Sequence, residues 1–325
     1  MKAKYCKDGE SITECFLCPN FCRIVDGKRG ICRGRGREDG RMVLHNFGVV
    51  VASHLDPIEK KPLYHFFPGS AILSVGTFGC NLSCRFCQNC DISQRIVEGT
   101  FISPDSLAAQ ACGISENLGV AFTYNEPGIW FEYVMESAVH LRKADKKVVL
   151  VTNGYLEKAP WQELCSVAHA MNIDLKGFTG DFYKKICGGK LEPVMENIKI
   201  AFKAGVHIEL TNLVVPGLNT DVETFERMVD WIAGISPKIP FHLSRYFPNF
   251  HENQPPTNPE ILEDFFQRAK DRLHYVYLGN FSARDGNDTK CPKCGEVWVR
   301  RQGYSTRIIS RSGKCSCGDN VDLIR

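Results

Sequence analysis

A chain of 325 residues with a net charge of +3, 43% apolar and 24% charged, is long enough for one large domain with appendages and has an ordinary globular balance. That charge is too small to mark the whole chain as a nucleic-acid binder, no apolar run is long enough to span a bilayer, and the first residues lack a signal peptide's apolar core, so a cytoplasmic protein is expected. Its 16 cysteines would stay mostly reduced there, which favours metal ligation over a disulfide framework.

The first forty-odd residues are rich in Cys, Gly and Arg and short of apolar material. Cys15, Cys18, Cys22 and Cys32 read as a small fold held by a metal, because modules this size seldom bury enough core to fold unaided. Four thiolates suit zinc or a second iron–sulfur cluster; spacing does not choose between them, and zinc is the preferred reading. A short strand at Met42–Leu44 and a β-branched run at 49–51 follow. The stretch from Asp56 to Gly69 then mixes charges and aromatics irregularly, and either lies beside a site or covers one end of a barrel.

From residue 71 short apolar runs recur at 71–76, 119–124, 147–152, 170–175, 207–214, 240–244 and 274–278. Helical patterns separate most of them: one opens at Ser103-Pro104, a capping serine before proline, and others cover 129–144, 222–232 and 259–273. This alternation predicts parallel strands with right-handed crossovers, an α/β fold of partial TIM-type (β/α)6 barrel. Each run ends in polar or Gly-containing sequence, which gathers Asn125 and Glu126, Asn153, Lys176, His242 with Arg245, and Gly279-Asn280 at one rim.

The loop after the first run carries Cys80, Cys84 and Cys87, with Phe86 just before the last thiol. An iron–sulfur cube takes four thiolates, so three leave one iron open to a substrate. The other reading is a three-thiol zinc site with a distant fourth ligand. The chain closes on Cys291, Cys294, Cys315 and Cys317, two knuckles around a strand-rich stretch, which reads as a zinc ribbon. Cys6, Cys90, Cys112, Cys165 and Cys187 read as ordinary thiols, with Cys90 close enough to Cys87 to be a spare ligand. Three parts are expected: a Cys-rich module at 1–45, the barrel at 46–286 and the ribbon at 287–325.

With the cysteine motif and rim segments together, the chain resembles the radical S-adenosylmethionine (SAM) enzyme of the AmmeMemoRadiSam system, related to pyruvate formate-lyase-activating enzymes. The resemblance rests on the N-terminal four-cysteine pattern, Asp56 to Gly69, Gly76 to Asn89, Thr123 to Pro127 and the ribbon. It implies a 4Fe-4S cluster on Cys80, Cys84 and Cys87, whose open iron binds SAM and cleaves it reductively. The 5′-deoxyadenosyl radical so formed takes hydrogen from a substrate, with a protein glycine among the candidates. It also implies that Phe86, Gly279 and Asn280 lie near the adenine, Asn125 and Glu126 at the SAM amino group, and Asn153, Lys176 and His242 around its carboxylate and ribose. Glycines that many superfamily members carry before this glutamate are absent here. Implied partners are a flavodoxin or ferredoxin as electron donor, and Memo and AMMECR-type proteins. RNA modification, suggested by the basic ribbon, and a metal-stabilised interaction module with a structural cluster are the competing readings.

Overall fold

The computed structural model describes residues 2–281, 287–310 and 312–325. An eight-stranded sheet organises it, with β1 (Ala52–Pro57), β2 (Ala71–Gly76), β3 (Asn117–Phe122), β4 (Lys147–Thr152), β5 (Ala170–Asp174), β6 (His207–Val214), β7 (Phe241–Arg245) and β8 (Val276–Gly279) side by side in chain order. Strands β2 to β8 are parallel, and β1 pairs antiparallel with β2 from Ala52↔Gly76 to Pro57↔Ala71. Helices α1 (Pro104–Gly113), α2 (Phe131–Lys143), α3 (Lys158–Val167), α4 (Leu191–Lys203), α5 (Val222–Ile235) and α6 (Pro259–Lys270) form the six crossovers. The parallel strands read as continuous apolar runs because both faces are covered, helices outside and barrel filling inside.

Local chemistry sets the helix starts. Asp221 accepts the N–H of Thr224 at 2.8 Å, and Asn258 accepts that of Glu260 at 3.1 Å with Pro259 in the first turn. Ser103 holds the cap position before α1 and Pro104, but its hydroxyl bonds to Ser106 Oγ instead of the backbone.

The irregular stretch after β1 fills the barrel from below. Ile58, Leu63 and Phe66 meet Ile72, Ala121, Val149 and Ala170 in a separate apolar cluster. Above them Glu209 accepts the main-chain N–H groups of Tyr64 and His65 at 2.9 and 2.7 Å, and Asn172 donates to the Pro62 carbonyl at 2.8 Å. The stretch covers this end of the barrel, as one of its two readings expects, and its polar members line a cavity beside the site, as the other does. The C-terminal strands Thr289–Lys290, Val297–Gln302 and Ser305–Ile308 reach the edge strand β8 and the barrel filling. Thr289 bonds Tyr277 of β8, while Arg301 donates to the Tyr64 carbonyl at 2.6 Å and Thr306 to Glu59 at 2.8 Å.

The N-terminal residues form a three-stranded antiparallel sheet (Cys6–Asp8, Ile12–Cys15, Arg23–Val25) and a two-stranded one (Arg35–Glu38, Arg41–Leu44). They rest on the barrel through a buried Arg35–Glu132 ion pair and a Trp130 Nε1–Asn46 carbonyl bond of 2.6 Å. The expected boundary at 286/287 adjoins residues 282–286, outside the described residues. No helix is long and apolar enough to cross a membrane among the described residues.

Candidate functional site

Strand β2 ends at Gly76 and the chain turns sharply at Gly79, whose φ of +91° suits only glycine and where an added Cβ would lie 2.0 Å from the Cys32 carbonyl oxygen. That turn throws Cys80 to Cys87 across the C-terminal ends of the strands. The loop is fastened on three sides. Asn125 donates to the Gly79 carbonyl at 2.8 Å and accepts from the Thr77 N–H at 3.2 Å. Asn81 donates to the Tyr155 carbonyl at 2.5 Å and accepts from Asn153 Nδ2 at 2.9 Å. Ser83 and Arg85 give their N–H groups to the carbonyls of Cys187 and Ile186, in a single π-helical turn at Tyr183–Cys187.

Cys80, Cys84 and Cys87 line one pocket of about 240 Å³ with Phe86, Asn125, Glu126, Asn153, Lys176 and Asn280. Donors already face the sulfurs: the Leu82 N–H lies 3.4 Å and Asn153 Nδ2 3.5 Å from Cys80 Sγ, and Ser93 Oγ lies 3.1 Å from Cys87 Sγ. Three soft thiols on one loop, open on the side away from the backbone, suit a cluster with one iron left for a ligand.

The polar wall of the pocket is built by neighbouring strand ends. Glu126 is only 1% exposed; it accepts Gly128 N–H and Thr152 Oγ1 on one oxygen and Asn153 N–H on the other, each at 2.7 Å. Burial pushes its carboxyl up to about 7 against those hydrogen bonds. Lys176 reaches Asp174 at 2.7 Å; burial opposes its charge, but Asp174 and the nearby thiols hold the ammonium well above its usual range.

Gly279 and His242 lie one step away, lining a second cavity of about 670 Å³ inside the barrel. The two cavities share Gln88, Asn89, Tyr124, Asn125, Asp174, Ser244 and Asn280, so they adjoin. The floor of the second is Asp56, Glu59, Lys60, Lys61 and Tyr64, and Gly303 and Tyr304, in the turn between the last two C-terminal strands, wall it. His242 Nε2 meets Glu209 Oε2 at 2.7 Å, and Asp56 is shared by Lys60, Lys61 and the Tyr124 hydroxyl. Arg245, placed at this rim by the sequence, turns away: its Nε donates to the Thr257 carbonyl and its guanidinium lies over Phe247. Cys90 keeps apart from the pocket lining, whereas Cys187 sits beside Cys84. Glu209 and Tyr304 escaped the sequence reading; for Glu209 the alternation of inward polar residues along β6 (Glu209, Thr211) was the available signal.

The terminal cysteines converge tightly. The sulfurs of Cys291, Cys294, Cys315 and Cys317 lie within 4.8 Å of one another, with Cys291–Cys317 at 3.7 Å and Cys294–Cys315 at 3.3 Å, so this group can hold a metal ion. In the N-terminal group Cys15, Cys18 and Cys32 are buried and Cys22 is half-buried.

Comparison with known proteins follows the same geometry. Residues 74–232, from within β2 into α5, match the Radical SAM superfamily profile. Over 98% of both chains the sequence is 36% identical to an uncharacterized protein of Methanocaldococcus jannaschii. The fold is like that of a radical SAM methyltransferase from Sphaerobacter thermophilus, at 14% identity over 71% of each chain with a TM-score of 0.52. It is also like that of Streptococcus suis SuiB bound to S-adenosylmethionine, at 13% identity over 66% of this chain and 52% of that one, with a TM-score of 0.52. The matched segment begins on the strand that delivers the three thiols and includes Glu126, Asn153 and Lys176 of their pocket wall, so the chain carries a radical SAM domain.

Proposed function

We propose that this chain is an enzyme that binds SAM on a cluster held by Cys80, Cys84 and Cys87 and turns the resulting radical on a substrate lodged in the adjoining cavity. Membership in the superfamily implies the 4Fe-4S cluster and SAM. Together these supply a carbon radical able to remove hydrogen. The chain's own residues orient and shield that chemistry. Glu126 takes the SAM amino group, exchanging part of its backbone hydrogen bonding for a charged partner; Lys176 faces the carboxylate; Phe86, Asn153 and Asn280 flank the remainder. Asn125 acts through the loop, whose entry it fastens at Thr77 and Gly79. His242, Gly279 and Tyr124 face the substrate.

The observation that carries this reading is the pair of adjoining cavities, one holding three thiols and the other reaching into the barrel between its filling and its rim. A chamber of that size takes a small polar molecule or the tip of a flexible peptide, whose binding would close it to water and stray hydrogen donors. The activating-enzyme-like role, with a protein glycine as target, is the peptide form of this reading. We assign zinc to the terminal group as a structural site, divide the chain at 45 and 286, and place it in the cytoplasm with a flavodoxin or ferredoxin as donor and Memo and AMMECR-type proteins as partners. The test is transfer of deuterium into 5′-deoxyadenosine from size- and nuclease-fractionated extracts of deuterium-grown cells. Label from the small-molecule or protein fraction is expected; label only from a nuclease-sensitive fraction would replace this reading with RNA modification.

A further inference from the structure

The three cysteine groups differ in how far apart their sulfurs stand, and spacing reports the metal. Around zinc, four sulfurs at about 2.3 Å from one ion stand roughly 3.8 Å apart. Around an iron–sulfur cube each sulfur sits on a different iron, and the sulfurs stand roughly 6 Å or more apart. The terminal group has the compact spacing, all four sulfurs within 4.8 Å. Two thiol–thiol contacts close it, Cys291 to Cys317 and Cys294 to Cys315. The central three cysteines, which the radical SAM reading assigns to a cluster, form no such compact set. Neither do any three of Cys15, Cys18, Cys22 and Cys32.

The N-terminal four nevertheless form a built site for anionic sulfur. Cys15, Cys18 and Cys32 are each 7% exposed. The Asn20 N–H faces the Cys18 sulfur, the Ile31 N–H that of Cys22, and the N–H groups of Gly34 and Arg35 that of Cys32. Arg35 Nη1, on a side chain 1% exposed, stands 3.9 Å from the Cys15 sulfur. Every sulfur has a donor, yet the four do not close on one another as they do at the other end of the chain. Donors of this kind stabilise ligated thiolates and tune an iron–sulfur centre.

We infer that Cys15, Cys18, Cys22 and Cys32 hold a second iron–sulfur cluster and not zinc. The inference rests on the radical SAM assignment of the central thiols for its internal comparison. It takes the other of the two metal centres that spacing in sequence left open. The site lies against the other cluster loop: the Cys32 carbonyl occupies the space a Gly79 side chain would need, and Asn20 Nδ2 donates to the Asn81 carbonyl at 2.8 Å. The second centre is therefore separated from Cys80 by one backbone contact, and not consigned to a distant knuckle.

The test is iron, sulfide and zinc per chain in anaerobically reconstituted full-length protein, beside the same protein carrying Cys80→Ala, Cys84→Ala and Cys87→Ala together. The expected wild-type content is about four irons for the central site, two to four more for the N-terminal one, and about one zinc. The triple variant should keep the N-terminal irons, with a reduced electron paramagnetic resonance signal that does not respond to SAM. Wild-type protein with about four irons, whether with two zincs or one, overturns the inference while leaving the radical SAM reading intact. A triple variant with undiminished iron instead sinks the assignment of the central site. The wild-type count needs no mutant to fold.

Discussion

Glu126 accepts the main-chain N–H of Asn153 at 2.7 Å, a bond that ties the end of β3 to the end of β4 beside the thiol pocket. The carboxylate is thus both a brace and, in our reading, the SAM amino partner. Its raised pKa makes the two roles separable. Moved from 4.5 to about 7 by burial, Glu126 carries a proton in the folded chain that it would lose on unfolding anywhere in that window. Its contribution to stability is therefore fully present below pH 4.5 and is lost as pH rises through 7. SAM affinity should run the other way, rising as the carboxyl ionises. Glu126→Gln should flatten both profiles and lower SAM affinity roughly tenfold, the loss of one charge-assisted hydrogen bond. Calorimetric titration across pH 7 checks this, and unchanged affinity in the variant rejects the role.

Arg301 clamps the C-terminal strands to the barrel filling. Its side chain is fully buried, donates to the Tyr64 carbonyl and Thr289, lies over the Tyr64 ring at 4.3 Å and faces Glu59 at 3.7 Å. Arg301→Met strands the Glu59 charge and should cost roughly 3–5 kcal/mol. Adding Glu59→Gln should recover part of the loss in denaturant unfolding, because the uncompensated charge is then gone. A double variant as weak as the sum of both single ones would show the two groups to be uncoupled.

The strand runs were legible because parallel strands are buried on both faces and announce themselves as unbroken apolar stretches. Their polar ends marked the rim for the same reason. Residues 58–67 were not legible, since a segment that fills a barrel follows neither the period of a strand nor that of a helix; its apolar members, Ile58, Leu63 and Phe66, are spaced by what they meet inside. His242 illustrates the limit. Sequence put it at the rim, whereas the fold sets it on the second residue of β7, inside the barrel, with Glu209 behind it and the second cavity in front. Arg245, at the end of the same strand, faces elsewhere, because Thr257 offers it a carbonyl.

Gly79→Ala should unseat the cluster loop. The backbone there is left-handed and the Cys32 carbonyl would be struck at 2.0 Å, so the loop must move away from the N-terminal sheets. Central iron content should fall sharply. Gly217→Ala is the control: it shares a positive φ of +71° but has open space around it, and should cost only about 1 kcal/mol with full iron loading. Equal iron in both variants would contradict the placement of the loop.

Removing metal from the terminal group should loosen the barrel without stopping chemistry at the thiol pocket. Trp298 packs with Cys291, Cys315, Tyr275 and Tyr277, so a metal held by these cysteines would knit this cluster to β8. Cys294→Ser should lower the melting temperature and bound zinc together, while SAM cleavage per central cluster persists. Complete loss of cleavage from a folded, iron-loaded Cys294→Ser protein would assign these strands a part in the reaction.

The central claim is that Cys80, Cys84 and Cys87 hold the cluster that SAM binds. Its most direct measurement is the electron paramagnetic resonance spectrum of the dithionite-reduced protein with and without SAM, recorded beside the yield of 5′-deoxyadenosine. Wild-type protein should show a signal shifted by SAM and should release 5′-deoxyadenosine; Cys84→Ser should lose both while retaining the iron of the N-terminal site and the zinc of the terminal one. A Cys84→Ser protein that still shifts its signal with SAM and cleaves it at the wild-type rate would contradict the account.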